Sequence, residues 1–271
     1  IHGTDGRGGA VIQGATVPGQ QGNADEIFRC RDATDFSQHV IQYNAFTGCA
    51  VKIGNAVFQQ LYGSIFCRQC ETWCMIGYHA VPVILDASRK GIGDYDKHEM
   101  LKAMVESAKL PKLGRPEFDK YDYIPADKEH ESVSKTLEYC FDDWCIYQYA
   151  DDLGSWDTAN KFFFRCMNYK NIVDENGFMH PRSNGAFIQP FDPAEVNNHF
   201  TEANSWQYST YVPHDFDNYV WRAGGKKHVA EMLDSLFFGT AQMTGREQAD
   251  LTGIIGQYAH GNEPGHHAPY M

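Results

Sequence analysis

Apolar positions recur at helical spacing from about residue 84 onward, with intervals of three and four residues that place them on one face of a helix. The predicted helices cover residues 97–110, 132–153, 156–169, 215 to the glycine pair at 224–225, and 227–238. Asp94 and Asp96 are typical of a helix start and precede the first of these segments. Runs of alternating apolar and polar positions, which would predict strands, do not appear. We therefore expect an all-α domain.

The predicted helices differ in how much of their surface is apolar. The pattern over residues 97–110 has one apolar face, which predicts a surface helix. The pattern over residues 132–153 is apolar on several sides, which predicts a buried helix. Cys140 and Cys145 lie on that helix among aromatic residues, and we expect both to be small buried apolar side chains.

Long loops separate the helices, at residues 121–130, 177–200 and 256–270. These loops are rich in aromatic and polar side chains. Successive helices joined by such loops suggest a helical toroid, in which the loops at one end build the functional site.

The first seventy residues have a different pattern. They are rich in glycine, hold four of the eight cysteines and have no sustained periodicity. We therefore predict an irregular segment at 1–70 and a helical domain at 71–271. Cys67, Cys70 and Cys74 have half the spacing of a zinc knuckle, but no second Cys/His pair follows at knuckle distance. A zinc site there is disfavoured.

Charge and hydropathy exclude two classes of partner. The 271 residues carry a formal net charge of −12, which repels phosphate backbones and anionic lipids. The longest nearly apolar run, residues 74–85, is short of the roughly 20 residues that a membrane helix needs. We expect no nucleic-acid partner and no membrane span.

One candidate for chemistry is the acidic cluster at residues 127–132. Glu129, His130 and Glu131 crowd the predicted start of the long helix, where they could form part of a site. The alternative is structural. Ser132 would cap the helix and the acidic residues would complement the helix dipole.

A second candidate is Glu202, which lies between Phe200 and Trp206. A lone carboxyl among aromatic residues has a raised pKa, which suits a general acid at neutral pH. The structural alternative is a glutamate at a helix start, with Trp206 and Tyr208 as a core stripe.

A third candidate is the loop that runs from His260 to His267. The side-chain oxygens of Asn262 and Glu263 suit calcium, whereas His260, His266 and His267 would suit zinc. An ordinary polar loop without a metal is the third possibility.

Several motifs in order along the chain resemble one family. They include Cys-Met-Ile-Gly-Tyr-His-Ala-Val-Pro (74–82), Glu-Ser-Val-Ser-Lys-Thr-Leu-Glu-Tyr (131–139), Phe-Thr-Glu (200–202), Trp-Gln-Tyr (206–208) and His-Gly-Asn-Glu-Pro (260–264). From about residue 71 to residue 271 the chain is similar to the catalytic domain of the calcium-dependent exo-α-mannosidases of glycoside hydrolase family 92.

The resemblance implies an (α/α)6 toroid, incomplete in this chain, and an inverting hydrolase that removes terminal α-linked mannose from glycans. It implies that Glu202 is the general acid and that Asn262 and Glu263 bind Ca²⁺. It also implies a secreted or periplasmic protein. Five further residues in matched motifs are expected to line the substrate pocket: His79, Glu131, Trp206, His260 and His267.

The chain also departs from the family pattern. Residues 7–70 lack the aromatic-rich segment expected there, and either a shifted reading frame or a divergent insertion would explain this. Two rival functions remain at this point. One is a carbohydrate-binding relative without activity, and the other is a zinc-dependent hydrolase.

The family's general base lies on a Gly-Asn-Asp-Asp loop downstream of the His-Gly-Asn-Glu-Pro motif, and no such string occurs in this chain. The chain also opens at Ile1 and stops at Met271 within a patterned region. We therefore expect a fragment that holds the acid without the base.

This expectation is tested by assaying mannose release from the purified 271-residue chain. The chain alone should show no turnover, and addition of a C-terminal continuation with an in-frame N-terminal region should restore it. Release by the chain alone that is abolished by Glu202→Gln would show instead that the base lies within these residues.

Overall fold

The computed structural model describes residues 76–271. The predicted irregular segment at 1–70 and the three cysteines at 67, 70 and 74 lie outside the described residues. The helices are α1 (Ala80–Arg89), α2 (Lys97–Ala108), α3 (Arg115–Tyr121), α4 (Ser132–Asp152), α5 (Trp156–Arg165), α6 (Ser205–Tyr208), α7 (Phe216–Arg222) and α8 (Lys226–Phe238). About half of the described residues are helical and the strands are few and short, which agrees with the helical class that the periodicity predicts.

Short strand pairs tie the loops together. β1 (Arg182–Ser183) and β2 (Ala186–Phe187) form an antiparallel hairpin, as do β5 (Ile254–Ile255) and β6 (Tyr258–Ala259). β3 (Glu195–Val196) pairs in parallel with β4 (Thr244–Gly245) and so joins two distant loops.

Helix α4 is the centre of the core. It packs against α1, α2 and α5, and its apolar side chains Val133, Leu137 and Ile146 are no more than 1% exposed. The prediction of a helix buried on several sides is therefore confirmed. Cys140 and Cys145 are buried as predicted, and burial raises the pKa of both thiols well above the usual range.

The predicted start of α2 is confirmed, whereas the predicted cap of α4 is not. The Asp96 carboxylate caps α2 by accepting the N–H groups of His98 (2.8 Å) and Glu99 (3.0 Å). The predicted cap at Ser132 is wrong, because Ser132 is the first helical residue and Glu131 takes the cap position. The N–H of Val133 instead donates to the His199 carbonyl oxygen (3.1 Å), so a distant loop replaces the side-chain cap.

The predicted segment at 156–169 divides into two elements. Helix α5 ends at Arg165 and continues as a 3₁₀ helix, Cys166–Asn171. Ala159, Phe162 and Cys166 face the core as the pattern predicts.

Large aromatic side chains are exposed on three helices. Trp156 on α5, Trp221 on α7 and Phe238 on α8 are 66%, 76% and 79% exposed.

In the described residues, no helix combines the length and apolar character needed to cross a membrane.

A buried ionic network joins α1 to α4. The His79 ring lies between two carboxylates, with Nδ1 2.9 Å from Asp142 Oδ1 and Nε2 3.1 Å from Glu138 Oε2. The Tyr78 N–H donates to the other oxygen of Asp142 (2.7 Å). Gly77 makes room for the ring, because a Cβ there would lie 2.6 Å from His79 atoms.

The two carboxylates determine the charge of His79. Burial alone would lower the pKa of His79, but Asp142 and Glu138 outweigh burial and raise that pKa well above its usual value. A histidine whose pKa is raised by folding stabilises the protein fully below the unfolded value of about 6.5, and the contribution is lost as pH rises through the folded pKa.

We expect His79→Gln to lower the free energy of unfolding by about 3–5 kcal/mol at pH 5, because it leaves buried carboxylates without their cation. The loss should shrink as pH rises above about 6.5. Urea unfolding from pH 5 to pH 9 measures both effects. The control is His98→Gln on the exposed surface of α2, which should have little effect at any pH. A loss that is constant across this range would contradict the ionic role of His79.

Candidate active site

Two chain segments are held side by side at the start of α4. The Glu131 N–H donates to the Asn198 carbonyl oxygen (2.6 Å), and the Val133 N–H donates to that of His199. The Thr201 N–H donates to Ser134 Oγ (2.9 Å). These bonds align residues 131–134 with residues 198–201 and bring Glu131 and Glu202 to neighbouring positions.

Both of these glutamates have an unusual backbone conformation. Glu131 has φ 55° and Glu202 has φ 48°, in the left-handed region that non-glycine residues rarely adopt. Such strain costs about 1–3 kcal/mol and clusters at functional sites. Two strained carboxylate residues on adjacent segments therefore indicate a site.

The third segment is the loop that contains Asn262. Its side-chain Nδ2 donates to the carbonyl oxygens of Glu202 (3.0 Å) and Thr201 (3.4 Å). Asn262 is 2% exposed, and its Oδ1 has no hydrogen-bond partner among the described residues. A buried acceptor without a partner is rare in folded proteins, and an amide oxygen of this kind is suited to bind a cation.

The surroundings of Glu202 favour its protonated form. Burial raises its pKa, and the negative charges of Asp250, Glu263 and Glu131 raise it further. A raised pKa lets a carboxyl act as a proton donor near neutral pH. The prediction of a lone carboxyl among aromatic residues was therefore incomplete, because three other carboxylates contribute.

The structural alternative for Glu202 is wrong about the helix start and confirmed for Tyr208. Helix α6 begins at Ser205, after Asn204 as its cap, so Glu202 precedes the helix. Tyr208 is buried as predicted. Trp206 is partly buried and packs edge-on against Phe178, with ring centroids 4.7 Å apart.

Two of the three histidines of the third candidate lie together, since the His260 and His266 rings stack with centroids 4.9 Å apart. The His260 Nδ1 lies 2.9 Å from the Tyr258 hydroxyl, and the His266 Nε2 lies 2.7 Å from the His260 carbonyl oxygen. The His267 Nε2 lies 3.0 Å from the Thr210 carbonyl oxygen. Between residues 76 and 271, no three His, Cys, Asp or Glu side chains group as metal ligands. A cation here would therefore need amide or carbonyl oxygens such as Asn262 Oδ1.

A second polar group connects His79 with His267. The Tyr211 hydroxyl donates to Glu138 Oε2 (2.7 Å), the same oxygen that lies beside His79. The rings of Tyr211 and His267 are in edge contact, 5.8 Å between centroids. The structure thus brings Glu131, Glu202, Asn262 and Glu263 into one group, which we call the acidic site, and joins His79 to His267 in another.

Sequence reasoning missed four residues of these groups. They are Lys135, Glu138, Tyr211 and Asp250. Lys135 and Glu138 lie one and two helical turns after Glu131, so helical spacing could have identified them. Asp250 has no sequence signal, because it reaches the acidic site through the fold of a distant loop.

Comparisons with known proteins agree with this fold and identify the family. The profile of the glycosyl hydrolase family 92 catalytic domain matches residues 46–271. The chain is 34% identical to a family GH92 α-mannosidase from Bacteroides thetaiotaomicron, with a TM-score of 0.73 over 87% of this chain and 34% of that one. A structure of that mannosidase in complex with mannoimidazole gives a TM-score of 0.75 at 33% identity, over the same shares of the two chains.

Two further relatives have names that describe their activity. One is a family GH92 inverting mannosidase from Bacteroides thetaiotaomicron, with 28% identity and a TM-score of 0.70 over 88% of this chain and 35% of that one. The other is an uncharacterized secreted glycosidase from Arthroderma benhamiae, 25% identical over 70% of this chain and 30% of its own length.

The fold of the chain matches that of a class of glycoside hydrolase catalytic domains. Within that class, the chain belongs to glycosyl hydrolase family 92. It spans about a third of the length of these relatives. The match begins at residue 46, inside the segment that the sequence pattern sets apart.

Proposed function

We propose that this chain carries the general acid and part of the calcium site of an inverting exo-α-mannosidase. The observation that carries the proposal is Glu202. Its backbone is strained, its pKa is raised by burial and by neighbouring carboxylates, and it lies in a chain whose relatives include α-mannosidases.

Glu202 would supply the proton that the leaving group needs. As the bond between the anomeric carbon and the glycosidic oxygen breaks, the carboxyl proton moves to that oxygen, which departs as a hydroxyl. Water attacks the opposite face and loses a proton to a second carboxylate.

Asn262 and Glu263 would hold the calcium ion. Asn262 offers a buried oxygen without a partner, and Glu263 places a carboxylate beside it in the chain, and both are hard donors that suit Ca²⁺. A calcium ion held by these residues would supply Lewis-acid stabilisation to the bound sugar. The Asn262 amide nitrogen also fixes the backbone of Glu202, so one side chain would position both the acid and the ion.

The substrates proposed are mannose-containing glycans. A relative binds mannoimidazole, and His79, Glu131, Trp206, His260 and His267 would line the pocket for the sugar. We place the protein outside the cytoplasm, secreted or periplasmic, on the support of the relative named as a secreted glycosidase.

The rival functions have less support. A binding protein without activity gives no reason for the raised pKa of Glu202. A zinc hydrolase needs three or more converging ligands, and within residues 76–271 no three His, Cys, Asp or Glu side chains group in that way.

Glu202→Gln tests the acid. In a form of the protein that turns over mannosides, kcat should fall about 10²- to 10⁴-fold on a disaccharide and much less on an aryl mannoside, whose leaving group needs little protonation. Glu175→Gln is the matched control, because Glu175 is exposed in a turn and should leave both rates unchanged. Equal losses on the two substrates would point to a binding role.

Calcium dependence is tested with a chelator. Activity should be lost in excess chelator and return with Ca²⁺ in preference to Zn²⁺. Calcium should also stabilise the folded protein and so raise its melting temperature. At a calcium concentration of 100 times the Kd, the free energy of unfolding should rise by about 2.7 kcal/mol. Asn262→Ala should abolish that rise. Full activity in excess chelator would overturn the calcium assignment.

A further inference from the structure

Lys135 is a buried cation in the first turn of α4. Its side chain is 3% exposed. Lysine is almost never fully buried unless it is paired, so the partners of its ammonium group indicate what it does.

Two partners fix the position of the ammonium group. Nζ donates to Glu129 Oε1 (2.8 Å) and to the His130 carbonyl oxygen (3.1 Å). An ammonium group has three N–H donors, so one remains. The next oxygen is Glu131 Oε2, 3.7 Å away, close enough for an ion pair.

Glu131 is held in place by more than its side chain. Its N–H donates to the Asn198 carbonyl oxygen, its φ is positive, and its side chain makes no cap bond to α4. The carboxylate is 26% exposed and belongs to the acidic site with Glu202 and Glu263. A structural role as helix cap therefore does not explain the strained conformation and fixed position of Glu131.

Both acidic and basic groups surround the Glu131 carboxylate. The carboxylates of the acidic site repel a further negative charge. His130 lies on the solvent side, 70% exposed, with Nε2 3.7 Å from Glu131 Oε2 and Nδ1 3.0 Å from Glu129 Oε1. Lys135 is therefore the cation on the buried side of Glu131.

We propose that Lys135 is a positioning residue of the acidic site, whose ammonium group, fixed by Glu129 and the His130 carbonyl, holds the Glu131 carboxylate in place to accept hydrogen bonds from a sugar hydroxyl. This inference rests on the proposed mannosidase function. The ammonium group lies 3.7 Å from Glu131 Oε2, and a carboxylate held by an ion pair presents its remaining acceptor positions to a hydroxyl in a fixed direction.

The test is a double-mutant cycle of Lys135→Met and Glu131→Gln in the active form of the protein. Lys135→Met should lower kcat/KM for an α-mannoside and the affinity for mannoimidazole together, by about 10²-fold. In the Glu131→Gln background, Lys135→Met should lower kcat/KM less than about threefold, because the carboxylate that Lys135 positions is already absent. Lys135→Arg should recover activity to within about tenfold of wild type, because it keeps the charge.

Lys170→Met is the matched control. It removes a lysine that pairs with Asp215 at 3.3 Å and lies outside the acidic site, so kcat/KM should change less than about twofold. Circular dichroism melting of each variant separates loss of fold from loss of function.

Two outcomes would overturn the assignment of Lys135. One is an equal loss from Lys135→Met in both backgrounds, and the other is failure of Lys135→Arg to recover activity although it melts like wild type. A wild-type protein that neither hydrolyses mannosides nor binds mannoimidazole would overturn the proposed function, and this inference with it. An active wild type with additive losses would overturn only the inference.

Discussion

The site depends on how the first turn of α4 satisfies its backbone donors. A side-chain cap would have kept the bonds local, but here Glu131 and Val133 donate to the carbonyl oxygens of Asn198 and His199. This long-range cap joins the start of the central helix to the segment that carries Glu202. Because both segments enter the contact in strained conformations, tertiary packing has to supply the free energy that holds the two carboxylates together.

Placing several carboxylates together has an electrostatic cost that the structure meets in two ways. Burial and the charges of Asp250, Glu263 and Glu131 favour the protonated form of Glu202, which lowers the repulsion within the group. The ammonium group of Lys135 offsets the charge at Glu131 from the buried side. The site therefore places a carboxyl whose pKa is raised, Glu202, near a carboxylate that is paired with a lysine, Glu131.

The sequence predicts local features well and long-range ones poorly. Periodicity predicts the helices that appear as α2, α4, α7 and α8 to within a few residues, because burial of an apolar face is what stabilises them. It fails at Ser132, where the cap comes from residues 198–199, and at Glu202, where Asp250 approaches from another loop. Both failures have the same physical cause, since the partner is distant in sequence and no local spacing encodes it.

The row of charged residues along α4 and its cap could have been recognised from spacing in the sequence. Glu131, Lys135, Glu138 and Asp142 are separated by four, three and four residues, so they lie on one face of a helix that is otherwise buried among apolar side chains. Charged residues in such a stripe have to be paired, and each of them is: Lys135 with Glu129 and Glu131, and His79 with Glu138 and Asp142. The stripe runs from the acidic site into the core, so the pairs that stabilise α4 and those that order the site belong to one surface. Substitutions along it should therefore change stability and activity together, which is why the inference about Lys135 requires a cycle rather than a single variant.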